Sequence, residues 1–285
     1  MPELPEVEAA LGVLRRRAKG RTIARLRLLH PALRRRLSPS RARAVNGARI
    51  ERVERRGKHQ LLHLSNGRIL HAHFRMNGDW AFGPSSDALP KFTRAVLEFT
   101  DGSRLAFVDS RALGTIELHD ADEVLDLGLG PDASDRAWRA EHLEKALEQR
   151  RGPIKPALLD QKLVAGLGNI YAAESLWRAR IDPRAASRSL STAQVAALRT
   201  AIAVVLKRAT GTRYTDDDVV RLAVYDREGK PCRRCKTPIA RIVQAGRSTY
   251  FCPRCQSPCS AVVLTVHGSR FTVHVSSPSP PTVLL

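Results

Sequence analysis

Met1-Pro2-Glu3-Leu4-Pro5-Glu6-Val7-Glu8 opens the chain, and its reading decides the rest. The octapeptide has neither the basic n-region nor the apolar h-region of a secretory signal. The small residue at position 2 lets an aminopeptidase remove Met1, which would leave Pro2 as the amino terminus. Its secondary amine is then a candidate nucleophile. A free α-amino group titrates near ~7.7–8.0, against ~10.4 for Lys, so roughly a tenth is unprotonated at neutral pH. Attack on a sugar carbon or aldehyde gives a cationic iminium, an electron sink like a Lys Schiff base. Glu3 would move protons in that chemistry. The plainer alternative is an N-terminal coil leading into a helix with Pro5 in its first turn. Val7, Ala10, Leu11 and Leu14 do fall on one helical face, and Arg15, Arg16 and Arg17 close it with favourable charge.

Two further stretches carry chemistry. Ile154-Lys155-Pro156, Asp160-Gln161-Lys162 and Gly166-Leu167-Gly168-Asn169-Ile170-Tyr171-Ala172-Ala173-Glu174 read as helix, tight turn and helix. The glycines allow positive φ, and a helix opening at Asn169 offers free N–H groups to a phosphate, with Lys155 nearby. Any helical hairpin could use such a turn, so this signal is weak alone. Cys232-x2-Cys235-x16-Cys252-x2-Cys255 is stronger, because two knuckles at this spacing match a four-thiolate structural zinc site. Two disulfides are the alternative. Few apolar residues lie between the pairs, so metal binding would supply most of the folding energy there. Gly246-Arg247-Ser248-Thr249 is expected to be a hairpin turn between the knuckles, and Cys259 a free thiol.

Composition narrows the partner. The 285 residues carry 48 Lys+Arg against 28 Asp+Glu, a formal charge of +20. That excess implies a polyanion, most simply nucleic acid. An anionic membrane surface is the rival, but the basic clusters are spread along the chain rather than beside one apolar segment. No apolar run reaches the roughly 18 residues of a span. The expected location is the cytoplasm, in association with the nucleoid.

From Thr22 to about Leu118 the pattern is short β segments. Asn66-Gly67 and Asp101-Gly102 are hairpin signals between apolar runs, which predicts an antiparallel β-sandwich. Arg34-Arg35-Arg36, Arg41 and Arg43 read as a solvated loop. His71 and His73 share a strand face; they are a packed pair or, given a third ligand the sequence does not reveal, a metal site. Gly128-Leu129-Gly130-Pro131-Asp132 reads as a linker. Helices are expected over 134–149 and 193–208.

The octapeptide, the 154–174 stretch and the cysteine pairs together resemble the Fpg/Nei family of base-excision repair enzymes, over Met1 to about Cys255. Leu4 favours the formamidopyrimidine-DNA glycosylase (Fpg, MutM) branch over the Nei branch. The resemblance implies a DNA glycosylase/AP lyase with Pro2, Glu3 and Lys58 as catalytic residues and Glu6 shaping the lesion pocket. It implies Met76, Arg111 and Leu113 as fillers of the void left by an everted base, and Lys155, Asn169 and Arg247 as DNA ligands. Cys232, Cys235, Cys252 and Cys255 would hold one structural Zn2+, and Glu174 would brace the helical motif. Eversion costs a few kcal/mol, which is why something must fill the hole.

The chain departs from the pattern in three places. Asp109-Ser110-Arg111-Ala112-Leu113-Gly114 stands where the family has Asp-Pro-Arg-Arg-Phe-Gly. The lid before the zinc knuckles, between Thr210 and Gly229, is short and carries Asp216, Asp217 and Asp218. A tail follows Cys255, with a hairpin expected at 261–275.

The expected fold is α+β and multidomain. It comprises an N-terminal antiparallel β-sandwich with its helix (1–130), a helix–two-turns–helix domain (131–226), a zinc-finger β-hairpin (227–258) and an extension (259–285). The expected function is removal of oxidised purines, formamidopyrimidines among them, from duplex DNA through a proline Schiff base, by a monomer without redox or nucleotide cofactor. The alternatives are a Nei-like enzyme for oxidised pyrimidines and a catalytically silent zinc-containing damage binder.

Overall fold

The computed structural model describes residues 2–210 and 221–257. The acidic Asp216–Asp218 stretch, Cys259, the hairpin expected at 261–275 and the terminal tail lie outside the described residues.

Helix α1 (Leu4–Arg17) starts where Glu3 caps it in extended backbone. The Glu3 amide donates to Glu6 Oε2 at 2.8 Å, and Pro5 occupies a first-turn position that needs no N–H. Val7, Ala10, Leu11 and Leu14 are buried, as the spacing predicts. They join one core with the two sheets beside them.

The strands are β1 (Ile23–Leu28), β2 (Ile50–Arg56), β3 (His59–Leu64), β4 (Ile69–His73), β5 (Asp79–Pro84), β6 (Thr93–Phe99), β7 (Ser103–Val108) and β8 (Thr115–His119). They form two antiparallel sheets, in the orders β1-β6-β7-β5 and β2-β3-β4-β8. Asn66-Gly67 and Asp101-Gly102 make the expected turns, with φ of +80° at Gly67 and +79° at Gly102. Leu62, Leu70, Ala72, Ile116 and Leu118 face inward from one sheet, against Leu26, Leu97, Leu105 and Phe107 from the other. Full burial of each large apolar side chain contributes roughly 1.5–3 kcal/mol. Two short helices, α2 (Pro31–Arg34) and α3 (Pro39–Ala42), occupy the arginine-rich stretch read as a loop. Leu33 and Ala42 anchor them, while Arg34, Arg35 and Arg36 remain exposed.

The second half contains α4 (Ala140–Glu148), α5 (Ile154–Leu159), α6 (Asn169–Ala179) and α7 (Thr192–Ala209). Helix α4 begins six residues later than the expected 134, because the chain first turns around Asp132. Asp132 accepts from the Ser134 amide at 2.9 Å and, through Oδ2, from the Gly57 amide at 3.2 Å. The stretch read as a linker is pinned rather than loose: Gly130 N donates to Gln161 O at 2.9 Å and Ala165 N to Pro131 O at 2.8 Å. Leu4 buries its side chain in the helical core, not in the sandwich core that takes the rest of α1. The amino terminus is therefore built into the junction of the two halves.

Strands β9 (Ala240–Gln244) and β10 (Arg247–Phe251) form the C-terminal hairpin. Its turn is Ala245-Gly246, not the expected Gly246–Thr249. Both turn residues have positive φ, +47° and +70°, the mirror-image turn that matches strand twist. Arg247 therefore starts β10, paired with Gln244. No helix among the described residues is long and apolar enough to cross a membrane.

Candidate active site

Glu3 is 1% exposed, and its carboxylate closes the N-terminus of α6. Gly168 N and Ile170 N donate to it at 2.8 Å each and Tyr171 N at 3.3 Å. These are the helix-terminal N–H groups that the sequence offered to a phosphate. The anion that takes them is a side chain from 165 residues away in sequence, held by the same dipole logic. Gly168 is required by close approach: a Cβ there would lie 2.3 Å from the Glu3 carboxyl carbon. Gly166, at φ +102°, lets its carbonyl receive the Leu4 amide at 3.1 Å. Burial pushes the Glu3 pKa up, against the nearby Lys58 charge and the Ile170 N–H, which pull it down.

Lys58 follows Gly57 (φ +55°) in the turn between β2 and β3. Its Nζ donates to Leu167 O at 2.7 Å. Burial lowers its pKa, Glu3 opposes that, and Arg247 adds to it. Gln161 supports the turn before α6, donating to the same Leu167 O at 2.9 Å and accepting from Gly166 N at 3.0 Å. Glu6 receives its second bond from the Tyr171 hydroxyl, and burial raises its pKa above the usual range. Pro2, half-exposed, thus precedes a buried carboxylate fixed by both halves of the molecule.

Lys155 is wholly buried and uses all three ammonium protons within the protein. They go to Asn169 Oδ1 at 2.5 Å, Ser248 O at 3.0 Å and Thr249 Oγ1 at 2.8 Å. Asn169 Nδ2 also donates to Ser248 O, at 2.9 Å. Burial first, then the Arg247 charge, lower the Lys155 pKa to about 8. These two residues therefore seat β10 against α6, and Arg247, the exposed residue beside them, carries positive charge toward both lysines. Glu174 accepts from Ala223, Val224 and Tyr225 amides at 2.8–2.9 Å, the brace expected of it.

The loop 109–114 stands apart on the sandwich. Asp109 is fully buried and accepts from Arg111 N at 3.0 Å and Gly114 N at 2.7 Å. Ala112 sits at φ +53°, and Leu113 is thrust out with 46% exposure. Arg111 is exposed beside it, while Met76 is half-buried after β4.

The four cysteines converge so that their sulfurs lie within 4.8 Å of one another. Cys232 and Cys255 are 4.0 Å apart and Cys235 and Cys252 3.4 Å. Tetrahedral Zn–S bonds of ~2.3 Å put sulfurs about 3.8 Å apart, so the cluster fits one structural zinc ion.

Sequence reasoning missed Arg55, Tyr171 and Asp109. Arg55, nearly buried, binds Glu8 at 2.7 Å, Asp132 at 2.5 Å and Ser134 at 2.9 Å, riveting α1 and β2 to the linker. No local signal marks it, since Asp132 is 77 residues away. Tyr171 stood inside the quoted motif without a role.

Three family models match the chain: the formamidopyrimidine-DNA glycosylase N-terminal domain over residues 1–116, the formamidopyrimidine-DNA glycosylase H2TH domain over 129–217, and the zinc finger found in FPG and IleRS over 229–258. The formamidopyrimidine-DNA glycosylase of Chloroflexus aggregans is 41% identical over 271 residues, covering 88% of this chain and 97% of that one. A solved structure of Lactococcus lactis formamidopyrimidine-DNA glycosylase bound non-covalently to DNA with an AP site superposes with a TM-score of 0.84 at 31% identity, over 90% of this chain and all of that one. The same L. lactis enzyme bound to DNA with an oxidised pyrimidine gives a TM-score of 0.83 at 31% identity, with the same coverage.

Proposed function

The chain belongs to the formamidopyrimidine-DNA glycosylase family, and from that premise we propose that it is a DNA glycosylase/AP lyase of base-excision repair with Pro2 as its nucleophile. Its substrate is duplex DNA with an oxidised base or an abasic site, and its natural setting is the chromosomal DNA of the nucleoid. The enzyme acts as a monomer with one structural zinc.

Removal of Met1 frees the Pro2 amine. The neutral amine attacks the sugar C1′, and the bond to the damaged base breaks with its electron pair going to the base. The Glu3 carboxylate takes the proton that the amine sheds on attack and delivers it to the ring oxygen O4′ as the ring opens, so that the C1′–N bond becomes an iminium. That cation acidifies C2′; loss of a proton there expels the 3′ phosphate, and a second elimination expels the 5′ phosphate. Water then hydrolyses the imine and returns the free amine. Glu6, bonded to Tyr171, shapes the wall of the lesion pocket. Lys58 and Arg247 hold the phosphates beside the lesion. Lys155 and Asn169 act by seating β10, so that Arg247 meets the DNA backbone. Met76, Arg111 and Leu113 fill the void, with Arg111 reading the orphaned base.

One observation carries this reading: the residue after the candidate nucleophile is a carboxylate wholly buried at the junction of the two halves, within electrostatic reach of Lys58. A coil leading into a helix would have no use for such a placement. Protein with retained Met1, verified by mass, is expected to bind abasic DNA but not to nick it. Full nicking by that protein would remove Pro2 from the mechanism.

A preference for oxidised pyrimidines is the second reading. It is favoured by Leu113, an exposed aliphatic wedge where the resemblance calls for a ring. Duplexes bearing 8-oxoguanine, a formamidopyrimidine or thymine glycol separate the two.

A further inference from the structure

The outer face of the β2-β3-β4-β8 sheet carries a row of imidazoles that the glycosylase chemistry does not use. His71 on β4 pairs directly with Glu117 on β8, and His119 is the diagonal neighbour on the same face. His71 Nδ1 lies 3.3 Å from His119 Nε2 and 3.8 Å from Glu117 Oε2. One ligand atom from each of these residues falls within 4.8 Å of the other two.

Three features distinguish the group from a packed polar cluster. Metal–nitrogen bonds of ~2.05 Å at a tetrahedral angle place two imidazole nitrogens about 3.3 Å apart, the separation seen here and a long one for a hydrogen bond. Each imidazole has a partner on its other nitrogen: His119 Nδ1 meets Glu123 Oε1 at 3.0 Å, and His71 Nε2 meets His59 Nδ1 at 2.8 Å. A carboxylate behind a ligating histidine fixes its tautomer with the other lone pair forward. Finally, Arg36 occupies Glu117 Oε1 at 3.1 Å, which leaves Oε2 on the side of His71 Nδ1, 3.8 Å away.

We propose that His71, His119 and Glu117 form a second metal site, separate from the cysteine cluster, for a divalent transition ion such as Zn2+, Co2+ or Ni2+. Two imidazoles and one carboxylate suit these ions rather than Mg2+ or Ca2+. The ligand set leaves a fourth position for water. Glu117 and His119 line a cavity of about 750 Å³ shared with Leu113 and Arg75. An ion there ties β4 to β8, just beyond the loop that presents Arg111 and Leu113. The sequence offered only the pair His71 and His73; the remaining ligands come from a strand more than forty residues on.

The test uses untagged full-length protein already loaded with one equivalent of zinc at the cysteines, titrated with Co2+. The expected result is one further equivalent, with d–d absorption but no thiolate charge-transfer band. His119→Ala should abolish it. Glu123→Gln should weaken it by roughly 10–100-fold, as loss of a supporting carboxylate does. His63→Ala, a histidine elsewhere on the same face bonded to Glu54, should leave it unchanged. Absence of a second equivalent in the wild type, or equal binding by His119→Ala, would overturn the proposal, as would equal loss in His63→Ala.

Discussion

Replacing Gly168 by Ala tests the junction with a single methyl group. Gly168 has φ −133°, which any residue adopts, so no backbone strain arises. The added Cβ would instead lie 2.3 Å from Glu3 Cδ and 2.5 Å from Glu3 Oε1. Glu3 cannot retreat, being 1% exposed and held by three amides of α6. Overpacking of this kind costs about 1–3 kcal/mol. Loss of one hydrogen bond to the charged carboxylate adds about 1.5–3 kcal/mol. The expected destabilisation is therefore about 2.5–6 kcal/mol, read by urea unfolding. Pro2 precedes Glu3, so a shift of 1 Å is expected to cost about 100-fold in single-turnover base excision. Gly152→Ala is the control, since its Cβ meets nothing within 4 Å. Gly168→Ala with stability within 0.5 kcal/mol of wild type and full activity would refute the buried-latch account.

Other outcomes follow from the same structure. Glu54 gains a raising influence from partial burial, but hydrogen bonds from Arg56, Arg52 and His63 override it and bring its pKa to about 2. A depressed carboxylate stabilises above its unfolded pKa, and the gain is lost as pH falls toward the folded value. Because these charges are largely solvated, Glu54→Gln should cost only about 1 kcal/mol at neutral pH, and the difference should vanish as pH falls from ~4.5 to about 2. Leu113→Phe should tighten binding to abasic duplex by about 1–3 kcal/mol through stacking; an unchanged Kd would mean Leu113 does not meet the bases. Zinc chelation should unfold the β9–β10 hairpin and strip Lys155 of Ser248 and Thr249, abolishing DNA binding while the sandwich still melts cooperatively. DNA binding that survives complete zinc loss would remove β10 from the interface.

The sequence made much of this architecture readable because the deciding signals are local. The α1 stripe, the Asn-Gly and Asp-Gly turns and the two cysteine pairs are each short runs, the pairs within one stretch of 24 residues, and each landed where its chemistry requires. The hairpin turn was read one step too far along, because Ala245 gives no hint that it adopts positive φ. What stayed hidden was pairing across distance. Nothing near Glu3 says that it closes a helix 165 residues away, or that Arg55 and Asp132 meet. Nor does anything beside Lys155 reveal that its three protons are spent on Asn169 and β10. A Gly-rich helix start invites a phosphate on local grounds, but tertiary structure supplied a carboxylate first.

The most direct test is borohydride trapping on an abasic duplex, using protein shown by mass to lack Met1, with the adduct mapped by peptide sequencing. A covalent adduct at Pro2, absent when Met1 is retained, is the predicted result. Efficient nicking without an adduct, or an adduct on Lys58 in its place, would contradict the assignment of the amino-terminal proline as the nucleophile.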